Sequence, residues 1–210
     1  MLEITDLSVT FNRENPEVRA VNRVTLKIDK GVSVGIVGES GSGKSELSHM
    51  LSKKLKDTMG VAKIIHADNY YKVLPAERTS WRLENGLDSI GLGEYDWDLL
   101  QTHVEAFLVD DRAVMPCIDL LTDQVDQLST DFSGIRYLIV DGLYAIKVEA
   151  DIRVFIDLTY QETKMSQLVR GKEPVNEFRM SVLAREHLAV RSLRPLANLI
   201  VQKDYEVVQA

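Results

Sequence analysis

Gly38-Glu39-Ser40-Gly41-Ser42-Gly43-Lys44-Ser45 is the most informative motif of this 210-residue chain. It fits the pattern G-x-x-x-x-G-K-[ST], and it stands between an apolar run at 32–37, typical of a buried strand, and an amphipathic run that begins a helix. The glycines let backbone N–H groups turn towards an anion, and the helix start adds unpaired donors and the positive end of a dipole. The pattern therefore predicts a phosphate-binding loop (P-loop) made of Gly38, Glu39, Ser40, Gly41, Ser42, Gly43, Lys44 and Ser45 and continued by Glu46.

A second stretch, Tyr137-Leu138-Ile139-Val140-Asp141-Gly142, predicts the metal site that such a loop needs. An apolar strand that ends in an acidic residue is the Walker B pattern, whose carboxylate holds Mg²⁺ directly or through water. In a P-loop the lysine reaches the β- and γ-phosphates and the following hydroxyl binds Mg²⁺. We therefore expect Lys44 to contact the phosphates of ATP, and Ser45 and Asp141 to bind Mg²⁺.

Composition and charge narrow the class of protein. The hydrophobic content of 45% is enough for a core, and the length suits one domain. The net charge of −7 argues against nucleic-acid and membrane-surface partners, which both select basic patches. No apolar run reaches the roughly 20 residues of a membrane span, and the N-terminus does not resemble a signal peptide. Cys117 is the only cysteine, so we expect a cytoplasmic enzyme without disulfides or thiolate metal sites.

The order of predicted elements indicates an α/β protein. Alternating apolar and polar residues at 2–11 and 21–28 predict an antiparallel β-hairpin before the P-loop strand. From 32 to 202, strand and helix patterns alternate, which predicts a three-layer P-loop NTPase fold with about five parallel strands and helices on both faces. We expect a single domain over 1–210, with the N-terminal β-hairpin at 1–31, a substrate loop at 72–98 and a helical lid region at 160–193. The segment 120–134 is predicted to be loop and turn.

Acidic residues outside the P-loop are candidates for the substrate site. Asp68 directly follows a β-rich run at 62–67, at the strand end where α/β sheets place their ligands. It could act on a substrate hydroxyl, or simply cap a helix. Asp96 likewise could cap the helix predicted to run to about Leu108, or point at a substrate.

Basic residues cluster where a lid is expected. Thr159 and Glu162 form a capping box for one helix, and a second helix follows from about residue 176 to 193. Arginines and a lysine around this junction could offset charge on a transferring phosphoryl group: Arg170, Lys172, Arg179 and Arg185. Interleaved glutamates leave open that these are ordinary solvated helix faces. Segment 72–94, which includes Arg82, is irregular and suits a binding loop or lid.

The first 50 residues resemble the opening of an ABC-transporter ATPase domain, in the run LEITDLSVTF … VNRVTLKIDKGVSVGIVGESGSGKS. The resemblance implies that Phe11 stacks on adenine, although Phe11 could equally fill the core of the hairpin. Past residue 50 the likeness ends. No stretch matches the LSGGQ signature, and Asp141 is followed by Gly142 instead of the glutamate that polarises the attacking water in that family.

Residues from about 40 to 200 resemble the uridine kinase and phosphoribulokinase family of P-loop metabolite kinases. The matching segments are GESGSGKS, DNYYK, YDWD, MPCIDLLT, LIVDGLY, ADIRVFID and RGKE. The resemblance implies that Asp68 is the base that accepts the proton of the acceptor hydroxyl and that Arg170 belongs to a catalytic lid. It also implies a substrate site with Tyr71 and with Asp96 or Asp98, and Arg82 in the expected binding loop is a further candidate for that site.

Departures from that family concern the acceptor. Uridine kinases carry a tyrosine and a histidine facing the base, where this chain has Ile118 and Thr122 or Asp123. The resemblance therefore implies phosphoryl transfer from Mg·ATP to a small hydroxyl compound, but not to uridine.

Two other functions are compatible with the sequence. An ABC-like or regulatory ATPase would act through a partner protein, and a protein kinase of the HPr kinase type would share the run Lys44-Ser45-Glu46. The sequence identifies neither the acceptor nor whether the chain forms a homo-oligomer.

Overall fold

The computed structural model describes residues 32–119, 121–164, 166–167, 176–204 and 206–210, and the backbone of residues 2–10 and 19–28. Its strands are β1 (Leu2–Thr10), β2 (Arg19–Ile28), β3 (Ser33–Gly38), β4 (Ala62–His66), β5 (Arg112–Asp119), β6 (Gln124–Asp131), β7 (Tyr137–Gly142), β8 (Ile152–Ile156), β9 (Leu199–Val201) and β10 (Val207–Gln209). Its helices are α1 (Lys44–Thr58), α2 (Pro75–Asn85), α3 (Trp97–Leu108) and α4 (Glu177–Leu193). Among the described residues, no helix combines the length and the apolar composition that a membrane span requires.

In the part of the chain that the structure describes, the central sheet has six strands in the order β10-β9-β8-β3-β7-β4. Five of them, from β4 to β9 in this order, pair in parallel, and β10 is an antiparallel edge strand on β9. The prediction of about five parallel strands is confirmed. The P-loop strand β3 is flanked by β7 and β8, so the carboxyl ends of β3, β7 and β4 meet at one edge of the sheet.

The sheet is buried on both faces, which explains why its strands are almost uniformly apolar. One face packs against α1 through Leu47, Leu51 and Leu55. The opposite face packs against α3 and α4, including Leu100 and Val190. Alternate residues of each strand point to opposite layers, so the predicted three-layer α/β fold is confirmed.

The N-terminal strands β1 and β2 form the predicted antiparallel hairpin as a separate two-stranded sheet. The hairpin lies beside α1 and β10. Phe11, the residue predicted to stack on adenine or to fill the hairpin, lies outside the described residues.

Two segments differ from the sequence-based expectation. The segment 72–94 was predicted to be irregular, but it contains α2, which has Pro75 in its first turn and ends before Gly86 at φ 79°. The segment 120–134 contains β6, which pairs with β5 over its whole length. The side chains of β6 are almost all exposed, so no alternation of apolar and polar residues marks it as a strand.

Candidate active site

The P-loop follows β3 in the conformation that an anion-binding turn requires. Gly41 and Gly43 have φ of 82° and 88°, in the left-handed region that favours glycine, and Gly43 is the residue before α1. The Ser42 N–H donates to the Glu39 carbonyl at 3.0 Å, which closes the turn. The buried Lys44 Nζ lies 3.4 Å from the same carbonyl, so its ammonium is folded over the loop.

Asp141 lies beside the P-loop because β7 is the direct neighbour of β3, with Ile36 opposite Asp141 in the register. Its side chain is 2% exposed, and its Oδ2 is buried without a hydrogen-bond partner among the described residues. The Ser45 hydroxyl lies close enough to this carboxyl to lower its pKa. A hydroxyl beside a carboxylate with a spare oxygen fits Mg²⁺, which takes one or two protein ligands and completes its shell with waters and phosphate oxygens.

The charged form of Asp141 is held by His66, the last residue of β4. His66 Nδ1 lies 2.6 Å from Asp141 Oδ1. Burial alone would raise the pKa of Asp141, but the hydrogen bond and charge of His66, together with Lys44, lower it below its ordinary value. The same hydrogen bond raises the pKa of His66, although burial opposes the shift. The two side chains therefore stabilise each other as an ion pair.

Asp68 stands across the site in the short helical turn Ala67–Tyr70 that follows β4. It is exposed, and the Tyr95 hydroxyl donates to its Oδ1 at 3.3 Å. The turn lies tightly against the end of β7, because a Cβ on Gly142 would come within 2.7 Å of the Ala67 Cβ. Gly142 thus permits the close approach that brings Asp68 and Asp141 to one cavity.

Aromatic rings pack around Tyr95, whose hydroxyl bonds to Asp68. The ring of Tyr95 stacks on Trp97 at 5.0 Å and contacts Tyr71 at 4.0 Å between centroids. The guanidinium of Arg78 lies over the Tyr71 ring, 3.5 Å from its centroid. Burial raises the pKa of both tyrosines, Tyr71 and Tyr95, so they stay neutral hydrogen-bonding groups across the physiological range.

A buried ion-pair network joins α2 to α4. Arg82 donates from Nε to Glu94 Oε1 at 2.7 Å and from Nη2 to Glu94 Oε2 at 3.0 Å. It also donates from Nη2 to Glu186 Oε1 at 3.1 Å, and Arg179 Nη1 lies 3.7 Å from the same oxygen. Arg82, Glu94 and Glu186 are each no more than 5% exposed.

Several of these side chains line a cavity of about 880 Å³. It runs from Lys44, Ser45 and Asp141 of the nucleotide site past Asp68 to a compartment between α2, the β5–β6 hairpin and α4. The compartment is lined by Asn69, Pro75, Ala76, Arg78, Thr79, Arg82, Cys117, Ile118, Asp123, Asn176, Phe178, Arg179 and Val182. A cavity of this size is in the range of small-molecule sites.

A second contact ties the P-loop to α4. The Glu39 side chain is fully buried, and its Oε1 lies 2.7 Å from His187 Nδ1. Burial raises the pKa of Glu39, although the hydrogen bond and charge of His187 oppose the shift. The Glu39 side chain therefore holds α4 against the loop.

Of the residues that were predicted to bind the substrate, some line the cavity and others do not. Asp68 and Arg82 line the cavity, but Arg82 is engaged by Glu94 and Glu186. Asp96 caps α3, its Oδ1 accepting from the Leu99 N–H at 3.0 Å, and neither Asp96 nor the exposed Asp98 lines the cavity. Tyr71 lies under Arg78 and is also absent from the lining.

The structure describes some of the residues that were predicted to form the lid. The capping box of Thr159 and Glu162 is confirmed by hydrogen bonds of 2.9 and 3.3 Å. Arg179 lines the cavity, whereas Arg185 pairs with Asp88 at 2.9 Å. Arg170 and Lys172 lie outside the described residues.

Sequence reasoning missed three residues that matter here: His66, Arg78 and His187. No sequence pattern assigned a role to either histidine, and Arg78 was one charge in a segment predicted to be irregular. The position of His66 at the end of a strand, one place before the turn with Asp68, was the available signal. No local signal marks His187, because its partner is 148 positions away in the chain.

Comparison with known proteins gives two different relationships. A sequence model of the ABC transporter family matches residues 21–88. A methionine import ATP-binding protein, MetN 1 of Enterococcus faecalis, is 38% identical over 87 residues, which are 41% of this chain and 24% of that protein. The chain thus spans about a quarter of the length of this relative.

The structure instead resembles solved P-loop kinases over most of its length. A phosphoribulokinase from Rhodobacter spheroides superposes with a TM-score of 0.61 at 13% identity, covering 82% of this chain and 70% of that one. The structure of a possible uridine kinase from Bacillus stearothermophilus gives 0.56 at 17% identity, covering 83% and 90%. At these identities the likeness establishes the fold. Together the comparisons support a P-loop nucleotide-binding function.

Proposed function

We propose that the protein is an ATP-dependent phosphotransferase that moves the γ-phosphoryl group of ATP to a hydroxyl of a small metabolite. The observation that carries the proposal is the continuous cavity that joins Lys44 and Ser45 to Asp68 and then to a compartment of its own. An acceptor in that compartment would have its hydroxyl beside Asp68 and its phosphoryl donor on the P-loop. A carboxylate at the junction of two substrate sites is suited to act as a general base.

The roles of the residues follow from their positions. The backbone of the P-loop cradles the phosphates, and Lys44 offsets their charge. Ser45 and Asp141 would hold Mg²⁺, which supplies further charge neutralisation. His66 keeps Asp141 ionised and oriented.

The transfer balances within these groups. The acceptor oxygen forms a bond to the γ-phosphorus, the bond from that phosphorus to the β-bridging oxygen breaks, and ADP leaves with the electron pair. The hydroxyl proton passes to Asp68. Positioning and charge neutralisation provide most of the rate acceleration in such a reaction.

The solved structures support this function through the fold that they share with the chain. One is a phosphoribulokinase and the other a possible uridine kinase, so kinases of this fold are named for different acceptors. The acceptor of this protein is therefore sought by experiment, with Mg·ATP and a panel of nucleosides, sugars and small hydroxy acids. We expect ADP release that depends on one class of acceptor and is lost in the Lys44→Ala variant. ADP release that is the same with and without every acceptor would contradict the proposal.

A second candidate is an ABC-like ATPase that acts through a partner protein. The match of residues 21–88 to the ABC transporter family and the relationship to MetN 1 favour it. The residue after Asp141 argues against an ABC-like ATPase, because it is Gly142 and has no carboxylate to polarise water. This candidate predicts dimerisation on ATP binding and slow hydrolysis without an acceptor, which light scattering and the same ADP assay would detect.

A further inference from the structure

We infer that the acceptor carries a negatively charged group, a carboxylate or a phosphate, and that Arg78 binds it. The inference rests on the proposed function, because it assigns the chemistry of the acceptor compartment. It goes further by naming the substrate class and the residue that selects it.

Among the described residues, three arginines line the compartment, and the protein neutralises two of them. Arg82 is paired with Glu94 and Glu186, and Arg179 lies 3.7 Å from Glu186. These two cations and two buried carboxylates balance. The Arg82–Glu186 pair holds α2 to α4, and among the described residues these groups add no net charge to the compartment.

Arg78 is different, because no carboxylate of the described residues lies within ion-pair distance of it. Its protein contacts are the Tyr71 ring and a single hydrogen bond from Nη2 to the Val73 carbonyl at 3.3 Å. Its Nε is buried and has no hydrogen-bond partner among the described residues. A buried charged donor without a partner is rare, since each such group loses its hydration without replacement.

The position and contacts of the Arg78 side chain suit the recognition of an anion. Stacking on Tyr71 fixes the plane of the guanidinium, and Arg78 lines the cavity. A planar guanidinium matches the oxygens of a carboxylate or phosphate in a bidentate arrangement. The side-chain amide of Asn176 and the hydroxyl of Thr79 line the same cavity and can add neutral hydrogen bonds.

Arg78 is also connected to the proposed reaction centre. Its ring platform, Tyr71, contacts Tyr95, and the Tyr95 hydroxyl bonds to Asp68. The anion-binding guanidinium and the proton-accepting carboxylate are thus held by two adjoining rings. An acceptor with its reactive hydroxyl at Asp68 and its anionic group at Arg78 would bridge them.

Asp123 is the one acidic residue on the hairpin side of the cavity lining in the described residues. It forms no ion pair with Arg78, and it lies at the turn between β5 and β6 with φ of 53°. It can accept a hydrogen bond from a second hydroxyl of the acceptor. A neutral polyol held by Asp123 and Arg78 together is therefore the rival reading that an experiment must separate.

The test uses acceptors in matched charged and neutral pairs: glycerate with glycerol, and ribose 5-phosphate with ribose. Binding is measured by calorimetry to protein loaded with Mg·AMP-PNP, so that the γ-phosphate position is already filled. ADP release with Mg·ATP is measured in parallel. We expect the anionic member of at least one pair to bind and to be phosphorylated, and the two pairs distinguish a carboxylate from a phosphate.

The variant Arg78→Gln should weaken binding and kcat/KM for the anionic acceptor by about 10- to 100-fold, the scale of a lost charge-assisted hydrogen bond, with KM for ATP unchanged. Arg78→Lys should recover part of the loss, because it restores the charge without the planar fork. Arg112→Gln is the control, since Arg112 is an exposed arginine paired with Asp131 on the β5–β6 hairpin. It should behave as the wild type.

Equal binding of the charged and neutral members, no binding of any member, or anion binding that survives Arg78→Gln overturns the inference. Turnover of a neutral acceptor that is insensitive to Arg78→Gln would overturn it while leaving the phosphotransferase intact. A third outcome would be anion binding that depends on Arg78 without any ADP release that depends on an acceptor. The anion site would stand and the proposed reaction would fail.

Discussion

His66 and Asp141 are neighbours in the register of β4 and β7, and their side chains meet at 2.6 Å between Nδ1 and Oδ1. The pairing links the strand that leads to Asp68 with the strand that carries the predicted Mg²⁺ ligand. The contact between the two side chains follows from the order of the strands, because neighbouring parallel strands bring their last residues to the same edge of the sheet.

The His66 pair makes stability depend on pH. Because the folded-state pKa of His66 is raised above its unfolded value of about 6.5, the stabilisation is fully present below that pH and is lost as the pH rises through the folded pKa. We expect the metal-free wild type to lose unfolding free energy over that window, and His66→Gln to lose less. Urea unfolding at a series of pH values measures this. Parallel curves for the two proteins would show that the pair does not form.

Lys44→Ala should weaken ATP binding and lower turnover by a factor on the order of 10² or more, because one charged contact to the transferring phosphoryl group is removed. Lys54→Ala is the matched control, since Lys54 lies on the exposed side of the same helix. Fluorescent-nucleotide titration and ADP release report the two effects. An unchanged affinity and rate for Lys44→Ala would contradict the P-loop interpretation itself.

Asp68→Asn should lower turnover on the order of 10²-fold or more while nucleotide affinity stays near the wild-type value, because the amide cannot accept the hydroxyl proton. Asp98→Asn provides the control at an exposed position outside the cavity. Steady-state kinetics with a saturating acceptor measure the difference. Near-normal turnover would remove Asp68 from the role of general base.

Gly142→Ala should disturb both stability and catalysis. The new Cβ would lie 2.7 Å from the Ala67 Cβ, so the turn with Asp68 must shift. Such overpacking costs about 1–3 kcal/mol of unfolding free energy. Gly134→Ala is the control, because a Cβ there meets nothing within 4 Å. If Gly142→Ala matches the wild type in thermal unfolding and kcat, the close approach of the turn and β7 is not needed.

Arg82→Met separates a structural role from the substrate-binding role predicted for this residue from the sequence. The substitution leaves Glu94 and Glu186 without their shared cation, and breaking a buried ion pair from one side costs about 3–5 kcal/mol. We expect a large loss of unfolding free energy in urea. An unchanged stability together with a raised KM for the acceptor would instead favour direct substrate binding.

Much of the frame was predictable from the sequence. The glycine positions, the apolar strands and the hairpin pattern predicted the P-loop, the parallel sheet and the N-terminal pair of strands, because these depend on local backbone preferences and periodicity. The strand β6 escaped prediction because its exposed side chains show no alternation. The helix α2 was missed although Pro75 and Gly86 mark its two ends.

The sequence alone shows a P-loop motif, an apolar strand pattern that ends in an acidic residue, and Asp68 after a further strand pattern. Backbone preferences and strand periodicity depend on residues that are near each other in the chain, so they can be recognised from the sequence. Which charges the protein itself neutralises, and which remain for a ligand, follows from how the helices pack on the sheet. Arg82 and Arg78 stand four positions apart on one helix, yet Arg82 meets Glu186 from across the fold and Arg78 meets no carboxylate of the described residues. Pairing between distant residues depends on how the helices pack on the sheet, and no local pattern records it.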